Sequence, residues 1–149
     1  MIVVDASLAA KWIFREDNSD RARHLYQFCL QEQLPIVAPP LILSEVSNVV
    51  RQRMRRTPAL PRNDVWELFA AFFSFRIDVM EPPDLYVRAV MIADDHGLPA
   101  VYDAIYLALA DQLGYEFWTA DRRLIRIVAG KLDYVRWVGD FTGSAMPER

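Results

Sequence analysis

The sequence predicts a single α/β domain in which short strands alternate with helices around a mainly parallel sheet. Short β-branched segments recur along the 149-residue chain, and stretches with helical apolar spacing separate them. Such alternation is typical of parallel sheets, whose strands are joined by helical crossovers. Hydrophobic residues make up 53% of the chain, which is enough for a sizeable core and argues against disorder.

Five segments have the short, β-branched or aromatic character of buried strands. In chain order they are Met1–Asp5, Ile36–Ala38, Arg76–Met80, Glu116–Thr119 and Tyr134–Val138. Pro35 separates the second strand from the helix before it, and Pro82-Pro83 ends the third.

Seven segments repeat apolar residues every three or four positions, as helices with one buried face do. In chain order they are Ser7–Arg15, Asn18–Gln33, Leu41–Arg55, Asn63–Ser74, Asp84–His96, Val101–Leu113 and Asp121–Ala129. Asn18 or Ser19 is the expected cap of the second helix, and Pro39-Pro40 opens the third. Glycines close the last three helices, and residues 56–62, with two prolines, form a loop.

Composition sets bounds on organisation and partners. We expect one domain over residues 1–140 and a flexible tail over residues 141–149. The net charge of −3 gives no bulk signal for nucleic-acid binding, although local patches are not excluded. The single cysteine, Cys29, rules out an intramolecular disulfide framework. No signal peptide or membrane-spanning run is visible, so we expect a cytoplasmic protein.

Asp103 is the most unusual residue of the chain. It is the only charged residue in the run Leu98–Ala110, which otherwise has the composition of a buried helix. A carboxylate in such surroundings costs free energy unless it is paired, hydrogen-bonded or bound to a metal. Asp103 therefore predicts a compensating partner.

Three other acidic residues occupy similar apolar surroundings. Asp5 follows the first predicted strand and Asp121 follows the fourth, so both fall at the carboxyl ends of strands, where α/β sheets form their sites. Glu45 lies in the third helix on the face that points to the protein body. Ser7 and Thr119 flank the same strand ends, and their hydroxyls could orient a carboxylate or a metal-bound water.

Four carboxylates that meet at one point either hold protons at raised pKa or hold a cation. Oxygen-only ligands favour Mg²⁺ or Mn²⁺, and the matching chemistry is phosphodiester hydrolysis by metal-activated water. Each acidic residue also has a structural alternative. Asp5, Asp103 and Asp121 could cap helices, and Glu45 could form a structural ion pair. No glycine-rich phosphate loop and no convincing His or Cys base is present.

Four segments resemble the motifs of PIN-domain ribonucleases, and more narrowly of VapC toxins from type II toxin–antitoxin systems. In order they are VVDASLAAKWIF, APPLILSEVSNVVRQ, VYDAIYLALADQLG and FWTADRRL, within a resemblance that spans residue 2 to about residue 138. The resemblance implies an α/β/α sandwich with a central parallel sheet. It also implies an endoribonuclease dependent on Mg²⁺ or Mn²⁺, with Asp5, Glu45, Asp103 and Asp121 as the acidic cluster.

The resemblance also has implications for supporting residues and partners. Ser7, Thr119 and Asn48 match positions that support such a site. Toxins of this type usually dimerise and are inhibited by a small antitoxin. Two alternatives stay open: a PIN-like nuclease of RNA processing that has no antitoxin, and a non-catalytic module that binds RNA or protein.

Basic and aromatic residues give weaker indications. Arginines after Glu45 and after Asp121 could contact RNA phosphates, or could lie on solvated helix faces. These candidates are Arg51, Arg53, Arg55, Arg122 and Arg123. The segment WELFAAFF is more apolar than one core-facing stripe needs, which would suit a dimer interface. Core packing is expected for most of the four tryptophans in preference to base stacking.

Overall fold

The structure, a computed structural model, describes residues 1–56 and 60–143. Its sheet has five strands, all parallel to their neighbours, in the order β3-β2-β1-β4-β5. The strands are β1 (Ile2–Val4), β2 (Ile36–Ala38), β3 (Ile77–Val79), β4 (Glu116–Thr119) and β5 (Val135–Trp137). Every predicted strand is present, and the expectation of a mainly parallel sheet is confirmed.

Seven α-helices connect and flank these strands. They are α1 (Ala6–Ile13), α2 (Ser19–Gln31), α3 (Leu41–Met54), α4 (Val65–Ser74), α5 (Leu85–His96), α6 (Val101–Leu113) and α7 (Arg122–Val128). Helix α1 packs with α2, α3 and α4, whereas α5 and α6 form a second packed group, with α6 against β1 and β4. The predicted α/β/α sandwich is confirmed. No helix in the described part is long and apolar enough to cross a membrane.

Most boundaries agree with expectation to within one or two residues, and the starts of two helices differ in their details. Helix α4 begins at Val65 rather than Asn63, because a 3-10 turn over Arg62–Asp64 forms the first turn. Asn18 does precede α2, but its backbone is left-handed and its side chain makes no capping bond. Residues 57–59 of the predicted loop and 144–149 of the predicted tail lie outside the described residues.

Sheet order determines where a site can form. The chain places β2 and β3 on one side of β1 and then returns to place β4 and β5 on the other. The gap between β1 and β4 is therefore the topological switch point, where open α/β sheets bind ligands at the carboxyl ends of their strands. Val4 pairs with Trp118, so the residues that follow these two, Asp5 and Thr119, lie side by side at the carboxyl ends of β1 and β4.

Helix α6 is the buried helix that the apolar run around Asp103 predicts. Its residues from Ala104 to Ala110 are all buried. Within it the Tyr106 ring stacks on Phe117 of β4, with centroids 5.9 Å apart and an interplanar angle of 14°. This contact fixes α6 against the sheet directly beside the switch point.

Candidate active site

Asp5 lies at the centre of a buried hydrogen-bond network at the end of β1. Its Oδ1 accepts from the backbone N–H of Leu8 at 2.8 Å, so the side chain caps α1. The Ser7 hydroxyl donates to the same carboxylate at 2.8 Å, and the Thr119 hydroxyl donates to Oδ2 at 2.5 Å. The sequence left open whether Asp5 caps a helix or belongs to the acidic site. In the structure it caps α1 and also lies at the carboxyl end of β1, where the site is expected.

The two hydroxyls connect Asp5 to the loop that follows β4. Thr119 is fully buried, and its Oγ1 accepts from the Asp121 N–H at 2.9 Å. The Ser7 Oγ accepts from the Ala120 N–H at 3.0 Å. Each hydroxyl thus donates to Asp5 and accepts from this loop, which fixes the position of Asp121. Asp121 itself caps α7 by accepting from the N–H groups of Arg123 and Leu124.

Glu45 projects from α3 towards α6 and is partly buried. The Tyr106 hydroxyl donates to its Oε2 at 2.5 Å. Because the Tyr106 ring is itself held against Phe117, this bond fixes the Glu45 carboxylate relative to the sheet. Within the described residues no ion pair holds Glu45, so the structural ion-pair alternative has no support there.

Asp103 does not cap its helix. The N-cap of α6 is Ala100, and the cap makes no side-chain hydrogen bond. The Asp103 carboxylate is half-buried, and the neighbouring charges that act on it are Asp121, which repels it, and Arg123, which attracts it. The capping alternative is therefore wrong for this residue, and the helix dipole is the remaining local compensation.

The pKa values of Asp5, Glu45 and Asp103 are all raised, first by burial and then by the charge of a neighbouring carboxylate. Burial raises the pKa of Asp5 to about 7, and the charge of Glu45 adds to this, while hydrogen bonds from Thr119, Leu8 and Ser7 oppose it. Burial also raises the pKa of Glu45, with repulsion from Asp103 in the same direction. The pKa of Asp103 is raised by burial and by Asp121. The electrostatic contacts thus run from Asp5 through Glu45 and Asp103 to Asp121.

The donor set fits a divalent cation. None of the four carboxylates forms an ion pair with any residue in the described ranges, so no salt bridge neutralises their negative charge there. Oxygen-only donors suit Mg²⁺ or Mn²⁺. Among the same residues, however, no three acidic, histidine or cysteine side chains form a compact group that could hold an ion as they stand. Binding would require free carboxylate oxygens to turn towards the ion.

The other predicted site residues lie around this cluster rather than in it. Asn48, Arg51 and Arg55 are exposed on α3 or at its end. The positive charge of Arg123 acts on Asp103 and lowers the pKa of that carboxyl. The Arg122 guanidinium instead lies over the Trp137 ring, 4.3 Å from its centroid. Arg53 forms an ion pair with Glu16.

Most of the four tryptophans are buried or partly buried, as the prediction of core packing requires. Trp12 and Trp118 are buried and Trp137 is partly buried, but Trp66 is 84% exposed on α4. Core packing is therefore wrong for Trp66. Phe73, on the same helix, is also exposed, so α4 carries apolar surface that the monomer does not bury.

Sequence reasoning missed Tyr106 and Lys11. Tyr106 follows Asp103 by three residues, which places both on one helix face, but its hydroxyl was hidden in a run that looked uniformly apolar. Lys11 lies in a helix that otherwise presents apolar residues, and its partly buried ammonium pairs with Glu16 at 3.2 Å. A lone cation among apolar residues is the same signal that identified Asp103.

Comparison with known proteins agrees with this architecture. The sequence profile of the PIN domain matches residues 2–130. Ribonuclease VapC3 of Pyrobaculum aerophilum is 30% identical over 131 residues, which cover 83% of this chain and 91% of the relative. The crystal structure of PAE2754 from Pyrobaculum aerophilum superposes with a TM-score of 0.64 at 22% identity, covering 93% of this chain and 90% of that one, and supports the fold.

The profile match covers most of the chain, and it includes all four acidic positions at the switch point. The curated relative aligns over nearly its whole length. The chain is a VapC-type member of the PIN-domain family.

Proposed function

We propose that this protein is an endoribonuclease toxin that requires Mg²⁺ or Mn²⁺, acts in the cytoplasm and is neutralised by a small cognate antitoxin. The observation that carries the proposal is the group of four carboxylates at the switch point of the sheet, which are electrostatically coupled and have no cationic ion-pair partner within residues 1–56 and 60–143. The 30% identity to a protein named a ribonuclease supports RNA as the substrate.

In this proposal the acidic residues bind cations or orient water, and three hydroxyl groups hold the acidic residues in position. Asp5, Asp103 and Asp121 would bind the cation directly, and Glu45 would bind a second ion or orient the attacking water. When bound, the cation supplies a more acidic water and stabilises the charge that develops on the phosphoryl oxygens. Ser7 and Thr119 hold Asp5 in one orientation through the hydrogen bonds they donate. Tyr106 does the same for Glu45.

Cleavage of RNA with and without divalent cation tests the activity. The purified protein should cut single-stranded RNA with Mg²⁺, and EDTA should abolish the cutting. Asp5→Asn should lose it as well while keeping the fold, because Asn still caps α1 but has no charge to hold a cation. An Asn variant as active as the parent would show that Asp5 has no catalytic role, and tight RNA binding without cleavage would favour a binding module.

The toxin assignment and the oligomeric state need separate tests. We propose a homodimer, for which the exposed Trp66 and Phe73 on α4 offer apolar surface. Light scattering should give twice the monomer mass. Expression of the protein should arrest growth, and co-expression of a small protein from a neighbouring gene should relieve the arrest. Growth that continues at full rate despite active nuclease would favour an RNA-processing enzyme.

A further inference from the structure

A second charged cluster lies beside the acidic site, between α1 and α3. Glu16 accepts from Lys11 at 3.2 Å through Oε2 and forms an ion pair with Arg53 through Oε1. The Arg53 guanidinium also lies over the Phe14 ring, 4.9 Å from its centroid. Lys11, Glu16 and Arg53 therefore join the C-terminal half of α3 to the end of α1.

These three side chains line a cavity of about 310 Å³, here called the Lys11 cavity. Its remaining polar lining comes from Ser7, Gln52 and Arg56. Ser7 also donates to the Asp5 carboxylate, so its side chain lies between the cavity and the acidic site. The volume is many times what one water molecule requires, so a solvated phosphate group fits.

The charge of the Lys11 cavity is opposite to that of the acidic site. Lys11, Arg53 and Arg56 carry three positive charges and Glu16 carries one negative charge, so the lining has a formal excess of two positive charges. Only 12% of the Lys11 side chain and 28% of the Arg53 side chain are exposed. Burial lowers the pKa of Lys11, while the charges of Asp17 and Asp5 raise it, so Lys11 lies within electrostatic reach of the site.

We propose that the Lys11 cavity is a phosphate subsite, in which Lys11 and Arg53 bind a backbone phosphate of the RNA next to the one that is cleaved, and that Glu16 holds these cations in place and competes with that phosphate. The inference rests on the proposed function and names how its substrate is held. Glu16 keeps the two cations oriented, so a phosphate that displaces its carboxylate exchanges one set of charge-assisted hydrogen bonds for another.

The alternative role for the cluster is purely structural, as an ion network that joins α1 to α3. The two roles predict opposite effects for Glu16→Gln. If Glu16 competes with phosphate, its loss frees both cations, and RNA should bind more tightly. If the cluster only joins the helices, its loss should lower thermal stability and leave RNA binding unchanged or weaker.

Fluorescence anisotropy distinguishes the phosphate subsite from the purely structural ion network. It is measured with a labelled single-stranded RNA oligonucleotide in EDTA, which prevents cleavage. Glu16→Gln should tighten binding several-fold, whereas Lys11→Gln and Arg53→Gln should each weaken it about tenfold. Loss of one phosphate contact should also reduce the slope of log affinity against log salt by about 0.7. Arg21→Gln removes the same charge from an exposed site on α2, outside the cavity, and should have little effect.

Cleavage kinetics in Mg²⁺ separate failure of the subsite from failure of the proposed function. Provided that the parent protein cleaves RNA, Lys11→Gln should raise the KM for RNA by a larger factor than it lowers kcat. An unchanged KM in both Lys11→Gln and Arg53→Gln, or unchanged or weaker RNA binding by Glu16→Gln, overturns the subsite and leaves the nuclease intact. Binding that follows the predicted order without cleavage supports the subsite alone, and absence of both binding and cleavage overturns both proposals.

Discussion

Asp5 performs two functions that compete for its oxygens. It caps α1 and accepts from two hydroxyls, which are structural duties, yet it is also a buried negative charge. Three donors stabilise the ionised form but do not offset the cost of burial, since the pKa of Asp5 remains raised to about 7. The residue therefore stays costly to ionise until a cation arrives.

The cost of ionising the buried Asp5 carboxyl predicts that the stability of the fold depends on pH. The Asp5 pKa is 3.8 ordinarily and about 7 in the fold, so between these values the folded protein binds more protons than the unfolded chain. Stability from this group is therefore greatest at the acidic end and falls as pH rises to about 7. Relative to the parent, the free energy of unfolding of Asp5→Asn should rise by about 3 kcal/mol between about pH 5 and pH 8.

Denaturant unfolding in EDTA at a series of pH values measures that difference. Comparison of the variant with the parent cancels the titration of groups that both proteins share. A stability difference that stays constant over this pH range would show that Asp5 is not the group that titrates. Added Mn²⁺ should reverse the loss in the parent and have less effect on the Asn variant, because a bound cation stabilises the folded state.

Tyr106 is a positioning residue for Glu45. Its hydrogen bond lowers the pKa of that carboxyl, against the raising effect of burial. Tyr106→Phe should therefore shift the acidic limb of the pH–rate profile to higher pH and reduce kcat about tenfold with little change in KM. Tyr102→Phe is the control, because Tyr102 lies on the same helix but is 58% exposed. Identical profiles for the Tyr106→Phe variant and the parent would contradict the role.

At the scale of elements, the sequence predicted all five strands and all seven helices, and it placed Asp5 and Asp121 at the carboxyl ends of two strands that the structure shows to be neighbours. Those positions follow from a general property of parallel sheets, whose carboxyl strand ends share one edge. The contact between Tyr106 and Glu45 was not predictable, because it joins helices 61 residues apart in the chain. The contact of Arg53 with Glu16 escaped prediction for the same reason, because Arg53 lies on α3, far along the chain from Glu16.

The C-terminal segment gives a prediction about where the domain ends. Phe141 is only 6% exposed, and its ring contacts Phe28 and Trp118. Phe141→Ala should reduce the free energy of unfolding by about 3 kcal/mol, through lost contacts and a new cavity. Because Phe141 packs in the core, we propose that the domain extends at least to Phe141, one residue beyond the boundary expected from the sequence, and deletion of residues 144–149 should leave stability unchanged. Chemical denaturation measures both, and a deletion as damaging as the alanine variant would place the boundary later.

At the scale of the whole molecule, two regions of opposite charge adjoin at the carboxyl edge of the sheet. The acidic group is suited to a divalent cation, and the Lys11 cavity is suited to a phosphate. The net charge of −3 hides this division because it averages the two regions. The acidic group is also not closed around an ion, since no three described acidic, histidine or cysteine side chains form a ready site. Cation binding should therefore reorder side chains at the switch point.

Anomalous diffraction from crystals soaked in Mn²⁺ tests the central claim, that the coupled carboxylates form a cation site. We predict an anomalous peak in contact with Asp5 and at least one of Asp103 and Asp121, with their carboxylates turned towards it. The peak should be absent from Asp5→Asn crystals treated in the same way. A parent crystal with no peak at the carboxyl ends of β1 and β4, in spite of Mn²⁺ bound elsewhere, would contradict the account.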